Sequence, residues 1–278
     1  MLVFRTRADL SAFLSKFHLS DACIGFVPTM GALHQGHLSL VQRAKSESDL
    51  VVCSIFVNPT QFNDPKDLKK YPRTIGHDIA LLEQVNCDVL FLPEVAEVYH
   101  SNESWFIDLN GLDQVLEGKM RPEHYQGVTQ VVKILFDIIR PTKAFFGQKD
   151  YQQCLVIQRM VDQLGMKVGV IVCPTVREAD GLAMSSRNIH LSEIERKNAT
   201  ALYKALRRAQ NEFPSQSIEQ ITTDVTNYLK TSPGIELEYF QICDCDTLAI
   251  ASSGQAKLVA LVAARVGKTR LIDNVLLE

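Results

Sequence analysis

The first two thirds of the chain alternate between short apolar runs and stretches with apolar residues at helical spacing. The apolar runs are residues 22–27, 49–58, 87–93, 143–147 and 167–176. Helical periodicity lies between them, at 38–46, 75–84, 127–140 and 151–165. Strands that are apolar throughout are buried on both faces, and here helices separate them. The pattern therefore predicts an α/β domain built on a doubly wound parallel sheet of Rossmann-like type.

The pattern changes after about residue 176. Two amphipathic helices are followed by three strand-like runs: 192–213 and 217–230, then 235–244, 256–266 and 269–277. Helices followed by adjacent strands are typical of a small α+β domain. We therefore predict a Rossmann-like domain over 1–175 and a smaller α+β C-terminal domain over 176–278, with the change near the loop 177–188.

Composition narrows the range of partners. The chain has 278 residues, 46% of them hydrophobic, and a formal net charge of −3. That charge gives no general attraction to nucleic acid or to anionic membranes, so we expect small-molecule partners. No apolar run reaches the length of a membrane span, and the N-terminus lacks a signal-peptide core, so we expect a cytoplasmic protein.

The seven cysteines form no CxxC pair. Their odd number and their placement in apolar runs predict buried, reduced thiols and not a disulfide framework. Cys243 and Cys245 would share one face of a strand, but two thiols alone make a poor metal site.

Polar turns follow four of the predicted strands. They read VPTMG, FVNPTQF, FGQKD and PTVREADG. In a doubly wound sheet, ligands bind at the carboxyl ends of the strands, so we expect these turns to converge on one edge.

The turn after the first of these strands reads HQGH, with Gln35 and Gly36 between His34 and His37. If it opens a helix, both imidazoles face the same way, and the glycines at 31 and 36 permit close approach. A helix N-terminus offers unpaired N–H groups and a positive dipole end, which favour phosphate. A two-ligand metal site and a chance surface pair are the alternatives.

Further basic and hydroxyl groups belong to the later turns. Lys149 lies where a strand gives way to a helix, and Ser185, Ser186 and Arg187 lie together after a glycine-containing loop. A solvated lysine and a serine N-cap are the alternative interpretations. Two histidines, a lysine and an arginine beside serines together indicate a triphosphate site.

Neutral amides mark the end of another buried run, where Asn58 and Gln61 lie in FVNPTQF. An amide donates to a hydroxyl or carboxylate without holding it in an ion pair. Such donors suit a carboxylate that must remain nucleophilic, although Gln61 could be only a turn residue.

An HxGH turn after the first predicted strand and a basic, serine-containing loop after the last resemble the HIGH and KMSKS signatures of adenylyl-transferring enzymes. More narrowly, six motifs resemble, in order and spacing, those of the pantothenate synthetase (pantoate–β-alanine ligase) family: PTMGALHQGH, SIFVNPTQF, YPRT, RPEHYQGV, FGQKDYQQ and READGLAMSSRN. The similarity runs from about residue 27 to residue 188, and CDCDTL and LVAARVGKTRLIDN extend it into the C-terminal domain.

The resemblance implies a homodimeric enzyme that uses ATP and Mg²⁺ to join pantoate and β-alanine into pantothenate, with release of AMP and pyrophosphate. It implies that Gln61 and Gln153 bind pantoate, that Gln61 also lines the β-alanine site, and that Asn58 helps close the pocket. It associates Asp78 with the metal. The implied ATP site comprises Met30, Gly31, His34, His37, Gly147, Gln148, Lys149, Asp150, Val176, Met184, Ser185, Ser186 and Arg187.

The mechanism that follows begins with attack of the pantoate carboxylate on the α-phosphorus of ATP, giving a pantoyl adenylate. Positioning and charge stabilisation do most of the work in phosphoryl transfer, here through His34, His37, Lys149 and Arg187. Ser185 and Ser186 would hydrogen-bond the outer phosphates. The amine of β-alanine then displaces AMP. Acyl adenylates hydrolyse, so the loop 177–188 with Gly181 is a candidate lid and the C-terminal domain a cover.

One position departs from the family pattern: Glu123 stands in RPEHY where the family usually has glycine, which leaves the role of His124 undefined. Two other functions are compatible with parts of the sequence. A nucleotidylyltransferase would share the HxGH turn, but its phosphate-ester substrate calls for more basic residues than Asn58, Gln61 and Gln153 provide. A non-catalytic nucleotide sensor has no use for a carboxylate-binding pocket.

Overall fold

The computed structural model describes residues 1–62, 68–69, 71–99, 104–213, 215–252 and 257–277. They divide into two compact units, Met1–Gly147 with Gln152–Cys173, and Gln148–Tyr151 with Pro174–Glu278. The short segment Gln148–Tyr151 thus groups with the C-terminal part of the chain, although the sequence on both sides of it belongs to the N-terminal unit.

The N-terminal unit is built on a six-stranded sheet, and every pair of neighbouring strands in it is parallel. Its strands are β1 (Leu2–Phe4), β2 (Ile24–Thr29), β3 (Leu50–Ile55), β4 (Val89–Phe91), β5 (Lys143–Gly147) and β6 (Gly169–Cys173). Their spatial order is β1-β4-β3-β2-β5-β6. The predicted doubly wound fold is confirmed. The three-residue strand β1 was not among the predicted strands.

Helices connect these strands: α1 (Arg7–Leu19), α2 (Gln35–Glu47), α3 (Ile75–Gln84), α4 (Val95–Val98), α5 (Leu116–Met120), α6 (His124–Ile139) and α7 (Tyr151–Gln163). The side chains of Phe26, Phe91, Phe136 and Phe145 are fully buried. The helix α1 was not predicted, and α2 and α6 begin earlier than the apolar periodicity indicates. The early start of α2 brings His37, a candidate site residue, into the helix.

The C-terminal unit has the predicted α+β composition. Two helices, α8 (Glu193–Glu212) and α9 (Ile218–Thr231), precede an antiparallel sheet of β7 (Ile235–Asp244), β8 (Leu258–Val266) and β9 (Thr269–Leu277). The core of this unit includes Leu206, Ile221, Val225 and Val262, all fully buried. The strand predicted over 256–266 begins at Leu258 in the structure, and residue 256 lies outside the described residues. No helix in the described ranges is long and apolar enough to cross a membrane.

The strand order creates a switch point in the sheet between β2 and β5. The chain winds outward from β2 through β3 and β4, and then returns to pair β5 with the other edge of β2. Doubly wound sheets bind ligands in the crevice at this point, outside the carboxyl ends of the strands. The HxGH turn follows β2, and Gly147 ends β5. Two of the candidate ATP-binding segments therefore begin at the switch point.

Candidate functional site

The turn that leads from β2 into α2 has an unusual backbone. Gly31 and Ala32 both have left-handed conformations, with φ of +83° and +51°. A Cβ atom at Gly31 would also lie only 3.0 Å from Cγ2 of Ile55 and 3.1 Å from Oδ2 of Asp78. Glycine is therefore needed here both for its φ angle and for its missing side chain.

The carboxylate of Asp78, from the first turn of α3, holds this turn in place. Its Oδ2 accepts the N–H of Ala32 at 3.0 Å, and its Oδ1 accepts the N–H of Leu33 at 2.9 Å. Oδ1 also accepts the hydroxyl of Thr74 at 3.1 Å. Asp78 is fully buried. Because its carboxylate is buried and hydrogen-bonded in this way, Asp78 stabilises the backbone of the HxGH turn.

His34 and His37 cap the N-terminus of α2. Nδ1 of His34 accepts the N–H of Gly36 at 3.1 Å, and Nδ1 of His37 accepts the N–H of His34 at 3.3 Å. The two ring centroids lie 4.1 Å apart. Because Nδ1 is an acceptor in each neutral ring, the ring proton lies on Nε2. Two imidazole donors therefore stand side by side at a helix N-terminus, which is an anion-binding position.

The residues that follow β3 reach the same turn. Nε2 of Gln61 donates to Sδ of Met30 at 2.8 Å, and Oε1 of Gln61 accepts Nδ2 of Asn58 at 3.3 Å. Asn58 is 1% exposed, and its Oδ1 accepts the hydroxyl of Tyr99 at 2.7 Å. The structure thus brings Gln61 beside the HxGH turn and makes Asn58 the buried support of Gln61.

His124 supports the same residue from the other side. Its Nδ1 lies 2.9 Å from the carbonyl oxygen of Gln61, and its Nε2 lies 3.0 Å from a guanidinium nitrogen of Arg121. Glu123 precedes it with φ of +64°, a left-handed conformation that glycine adopts without strain. The departure from the family pattern therefore alters the backbone energetics of this position, while His124 still contacts Gln61.

Gln152 and Gln153 both lie in the first turn of α7, but their surroundings differ. Gln152 is 2% exposed and donates to the carbonyl oxygens of Leu112 and Val115. Its Oε1 accepts the N–H of Glu117 at 3.1 Å. These contacts make Gln152 a structural residue. Gln153 is half-buried, and its binding role stays a prediction.

Apart from Gly147, the other candidate ATP residues belong to the C-terminal unit. Lys149 is half-buried, and the carbonyl oxygens of Gln148 and Lys149 accept Nδ2 of Asn274 at 2.9 and 3.0 Å. Further along, the N–H of Met184 donates to the carbonyl oxygen of Val176 at 3.0 Å. Asn274 lies far along the chain, and in the sequence only the motif LVAARVGKTRLIDN, which ends at this residue, marked it.

The candidate lid loop has a closely packed first half. Gly181 has φ of +91°, and a Cβ atom there would lie 2.0 Å from the ring of Tyr203. Arg196 pairs with Asp180 at 3.1 Å. The second half is more open, since Arg187 is exposed and Oγ of Ser185 accepts its N–H at 3.2 Å. Gly181 thus serves close packing, and the lid role of the loop stays a prediction.

The described residues contain no group of three or more His, Cys, Asp or Glu side chains that could hold a metal ion. All seven cysteines are free, and only Cys23 is not buried. Burial raises the pKa of Cys87 to about 11 and that of Cys243 to about 12. These two thiols stay protonated at neutral pH and are poor nucleophiles.

The predicted site residues therefore fall into two sets, one on each unit. The N-terminal unit carries Met30, Gly31, His34, His37, Asn58, Gln61, Asp78, Gly147 and Gln153. The C-terminal unit carries Gln148, Lys149, Asp150, Val176, Met184, Ser185, Ser186 and Arg187. Within each set the contacts above join residues that are distant in sequence, as Met30 and Gln61 show.

Comparison with known proteins gives a consistent result. Residues 2–276 match the model of the family described as pantoate-beta-alanine ligase. The chain is 48% identical to the pantothenate synthetase of Thermodesulfovibrio yellowstonii and 44% identical to that of Porphyromonas gingivalis, over the full length of both proteins.

Solved structures agree. A crystal structure of pantothenate synthetase from Thermus thermophilus superposes with a TM-score of 0.93 at 42% identity, covering 99% of each chain. The Francisella tularensis pantoate-beta-alanine ligase, complexed with beta-gamma ATP and beta-alanine, has a TM-score of 0.83 at 36% identity and covers 99% of this chain and 97% of its own.

Proposed function

Since the chain belongs to the pantoate-beta-alanine ligase family and is a ligase of that kind, we propose that it works through a pantoyl adenylate. Pantoate and ATP would give the adenylate and pyrophosphate, and β-alanine would then give pantothenate and AMP. ATP is supported as the second substrate by the complexed Francisella tularensis relative.

One observation carries this proposal: two imidazoles cap α2 with their Nδ1 atoms, so that both ring protons lie on Nε2. Charge builds on the α-phosphate and on the leaving pyrophosphate when a carboxylate attacks phosphorus. Fixed donors at a helix N-terminus stabilise such charge without reorganising during the reaction. We assign this role to His34 and His37, with Met30 and Gly31 forming the turn that presents them.

Gln61 is the proposed contact to pantoate and to β-alanine, with Asn58 and Gln153 completing the pantoate site. Gln61 is 9% exposed and lies against Met30 of the HxGH turn. An uncharged amide can orient a carboxylate without pairing with its charge, which keeps that carboxylate nucleophilic. This placement supports attack by pantoate on a phosphate bound at the same turn.

The C-terminal unit would contribute the remaining phosphate contacts. We assign charge stabilisation to Lys149 and Arg187, and hydrogen bonds to the outer phosphates to Ser185 and Ser186. The neighbouring backbone would line the nucleotide, through Gly147, Gln148, Asp150, Val176 and Met184. The half-buried position of Lys149 supports this assignment, because a partly desolvated charge acts more strongly on a phosphate.

The second half-reaction needs no covalent enzyme intermediate. The amine of β-alanine attacks the acyl carbon of the adenylate, the bond from that carbon to the phosphate oxygen breaks, and AMP leaves with that oxygen. The raised pKa values of Cys87 and Cys243 support this route, since neither thiol is activated.

In this proposal, Mg²⁺ binds to the phosphates of ATP and not to a protein side chain. Asp78 does not fit a direct ligand, because it is fully buried and both its oxygens accept N–H groups. Mg²⁺ commonly binds substrate phosphates and keeps several waters. A homodimer is a further proposal that rests on family membership alone, and light scattering on the purified protein would test it. A cytoplasmic location is a proposal that rests on the sequence expectation stated above.

Exchange of labelled pyrophosphate into ATP tests the proposal. With enzyme, Mg²⁺ and ATP, exchange should require pantoate and should proceed without β-alanine. A nucleotidylyltransferase or a nucleotide sensor would show no exchange that depends on pantoate. Exchange that needs β-alanine would contradict the adenylate intermediate, even if pantothenate were the product.

A further inference from the structure

Asn274, in the last strand β9, holds the segment that contains Lys149. It is 2% exposed. Its Nδ2 donates to the carbonyl oxygens of Gln148 and Lys149 at 2.9 and 3.0 Å, and its Oδ1 accepts Nε2 of Gln148 at 3.2 Å. Both N–H groups and the oxygen of this one amide are thus used on two consecutive residues. The backbone that presents Lys149 is fixed from a position 125 residues later in the chain.

The preceding residue holds a second segment. Asp273 is 4% exposed and accepts Arg177 in a two-pronged ion pair at 2.6 and 3.0 Å. The same guanidinium donates to the carbonyl oxygen of Gly181 at 3.1 Å and lies 4.3 Å from the centre of the Tyr203 ring. A planar guanidinium in this fork geometry has little freedom to turn. The loop that leads to Met184–Arg187 is thereby held to β9.

The contacts made by Asn274 and the contacts made by Asp273, here called the two arms, come from adjacent positions of one strand. Successive side chains of a strand point to opposite faces of the sheet, so Asp273 and Asn274 reach different segments. Arg177 also donates to the carbonyl oxygen of Asn274 at 3.3 Å, and the N–H of Asn274 donates to Oδ1 of Asp273 at 2.8 Å. The arms therefore form one connected hydrogen-bond network inside the C-terminal unit.

Stability alone does not account for this network. The other positions on the Asp273 face of β9 include Leu271, Val275 and Leu277, which pack in the apolar core. Burial raises the pKa of Asp273 although Arg177 opposes that change, which shows that desolvation disfavours its charge. Well-packed apolar residues often stabilise a core as well as a buried ion pair does.

We propose that Asp273 and Asn274 are positioning residues for catalysis, which hold the Gln148–Lys149 segment and the Arg177–Gly181 loop in the arrangement that ATP requires. This inference rests on the proposed ATP-binding role of Lys149 and Met184–Arg187. Neither residue contacts a substrate in this role. Each acts through the backbone or the guanidinium that it holds, and so fixes the geometry before ATP binds.

Two variants separate the arms, and a third controls for stability. Asn274→Ala removes the donors to Gln148 and Lys149. Arg177→Lys keeps the charge beside Asp273 and loses the fork. Val275→Ala, a neighbour in β9 that is 9% exposed, trims the core without touching either network. Thermal unfolding of all three, with hydrogen exchange resolved over 148–151 and over 176–184, would show which segment each change loosens.

We expect Asn274→Ala to speed exchange at 148–151 and Arg177→Lys to speed it at 176–184. Each should lower kcat/KM for ATP on the order of 10²-fold, the loss that a misplacement of about 1 Å can cause. The KM for pantoate should change much less. Val275→Ala should lower the unfolding temperature and leave both exchange segments and kcat/KM for ATP unchanged.

The same experiment distinguishes failure of this inference from failure of the proposed function. If wild-type protein shows no pantoate-dependent pyrophosphate exchange, the proposed function is wrong; ATP binding by calorimetry then carries the same comparison of variants. Unaltered hydrogen exchange in folded Asn274→Ala and Arg177→Lys would overturn the positioning role. So would faster exchange with unchanged use or binding of ATP, because the segments would then be held for another reason.

Discussion

Replacing Asp78 should destabilise the HxGH turn and the enzyme with it. Asp78→Ala leaves the N–H groups of Ala32 and Leu33 without their acceptor in a buried or half-buried setting. An unsatisfied buried donor costs about 1–3 kcal/mol, so the pair costs roughly 2–6 kcal/mol. For a unit of this size that lowers the unfolding temperature by roughly 4–24 °C. Gly31 and Ala32 would then leave their left-handed conformations, and the imidazoles would be misplaced.

Thermal unfolding in the presence of EDTA, without ATP, measures this effect apart from any metal. Asp78→Asn retains one acceptor oxygen and should fall between Ala and wild type. Glu83→Gln makes the same charge change at an exposed position of α3 and should be neutral. The reasoning would be refuted if Asp78→Asn unfolded like wild type and needed only more Mg²⁺ for full activity, since that result would make Asp78 a metal ligand.

Substitutions at three other positions test the account further. His37→Ala should lower kcat about 10²–10³-fold, as loss of one fixed charge-stabilising donor does. His37→Gln, which can keep the helix cap, should fold better than His37→Ala yet be as inactive. Near wild-type turnover of either variant would remove His37 from the mechanism. Gln61→Ala should weaken pantoate use roughly 5- to 150-fold while calorimetry shows nearly normal ATP binding; equal weakening of both would place Gln61 elsewhere. Glu123→Gly should raise the free energy of unfolding by up to about 1 kcal/mol because it relieves a left-handed glutamate, and a loss in urea titration would contradict that.

Sequence patterns predicted the fold because burial imposes them. Strands buried on both faces read as apolar runs, and the change to helices followed by adjacent strands marked the C-terminal unit. The missed helix α1 carried a usable signal, since Leu10 and Leu14 are buried at helical spacing. The missed strand β1 has only three residues, and two of them, Leu2 and Val3, are exposed, so no periodicity could develop.

The supporting residues of the candidate site were harder to predict than the residues they support. The sequence does not distinguish an aspartate of a first helical turn that faces solvent from one that hydrogen-bonds a distant turn. Nothing in the sequence therefore linked Asp78 to Ala32 and Leu33. The left-handed conformation of Glu123 had one signal in the sequence, its departure from the family glycine. The contact of Asn274 with Lys149 depends on the three-dimensional path of β9. Such long-range contacts leave no local pattern.

Transfer of oxygen from pantoate to AMP tests the adenylate mechanism most directly. If the pantoate carboxylate attacks the α-phosphorus and β-alanine then breaks the carbon–oxygen bond of the adenylate, one carboxylate oxygen must leave with AMP. Pantoate labelled with ¹⁸O in its carboxylate should therefore yield AMP that carries one labelled oxygen, as mass spectrometry of the complete reaction would show. Unlabelled AMP, with the label recovered in pyrophosphate instead, would contradict the mechanism.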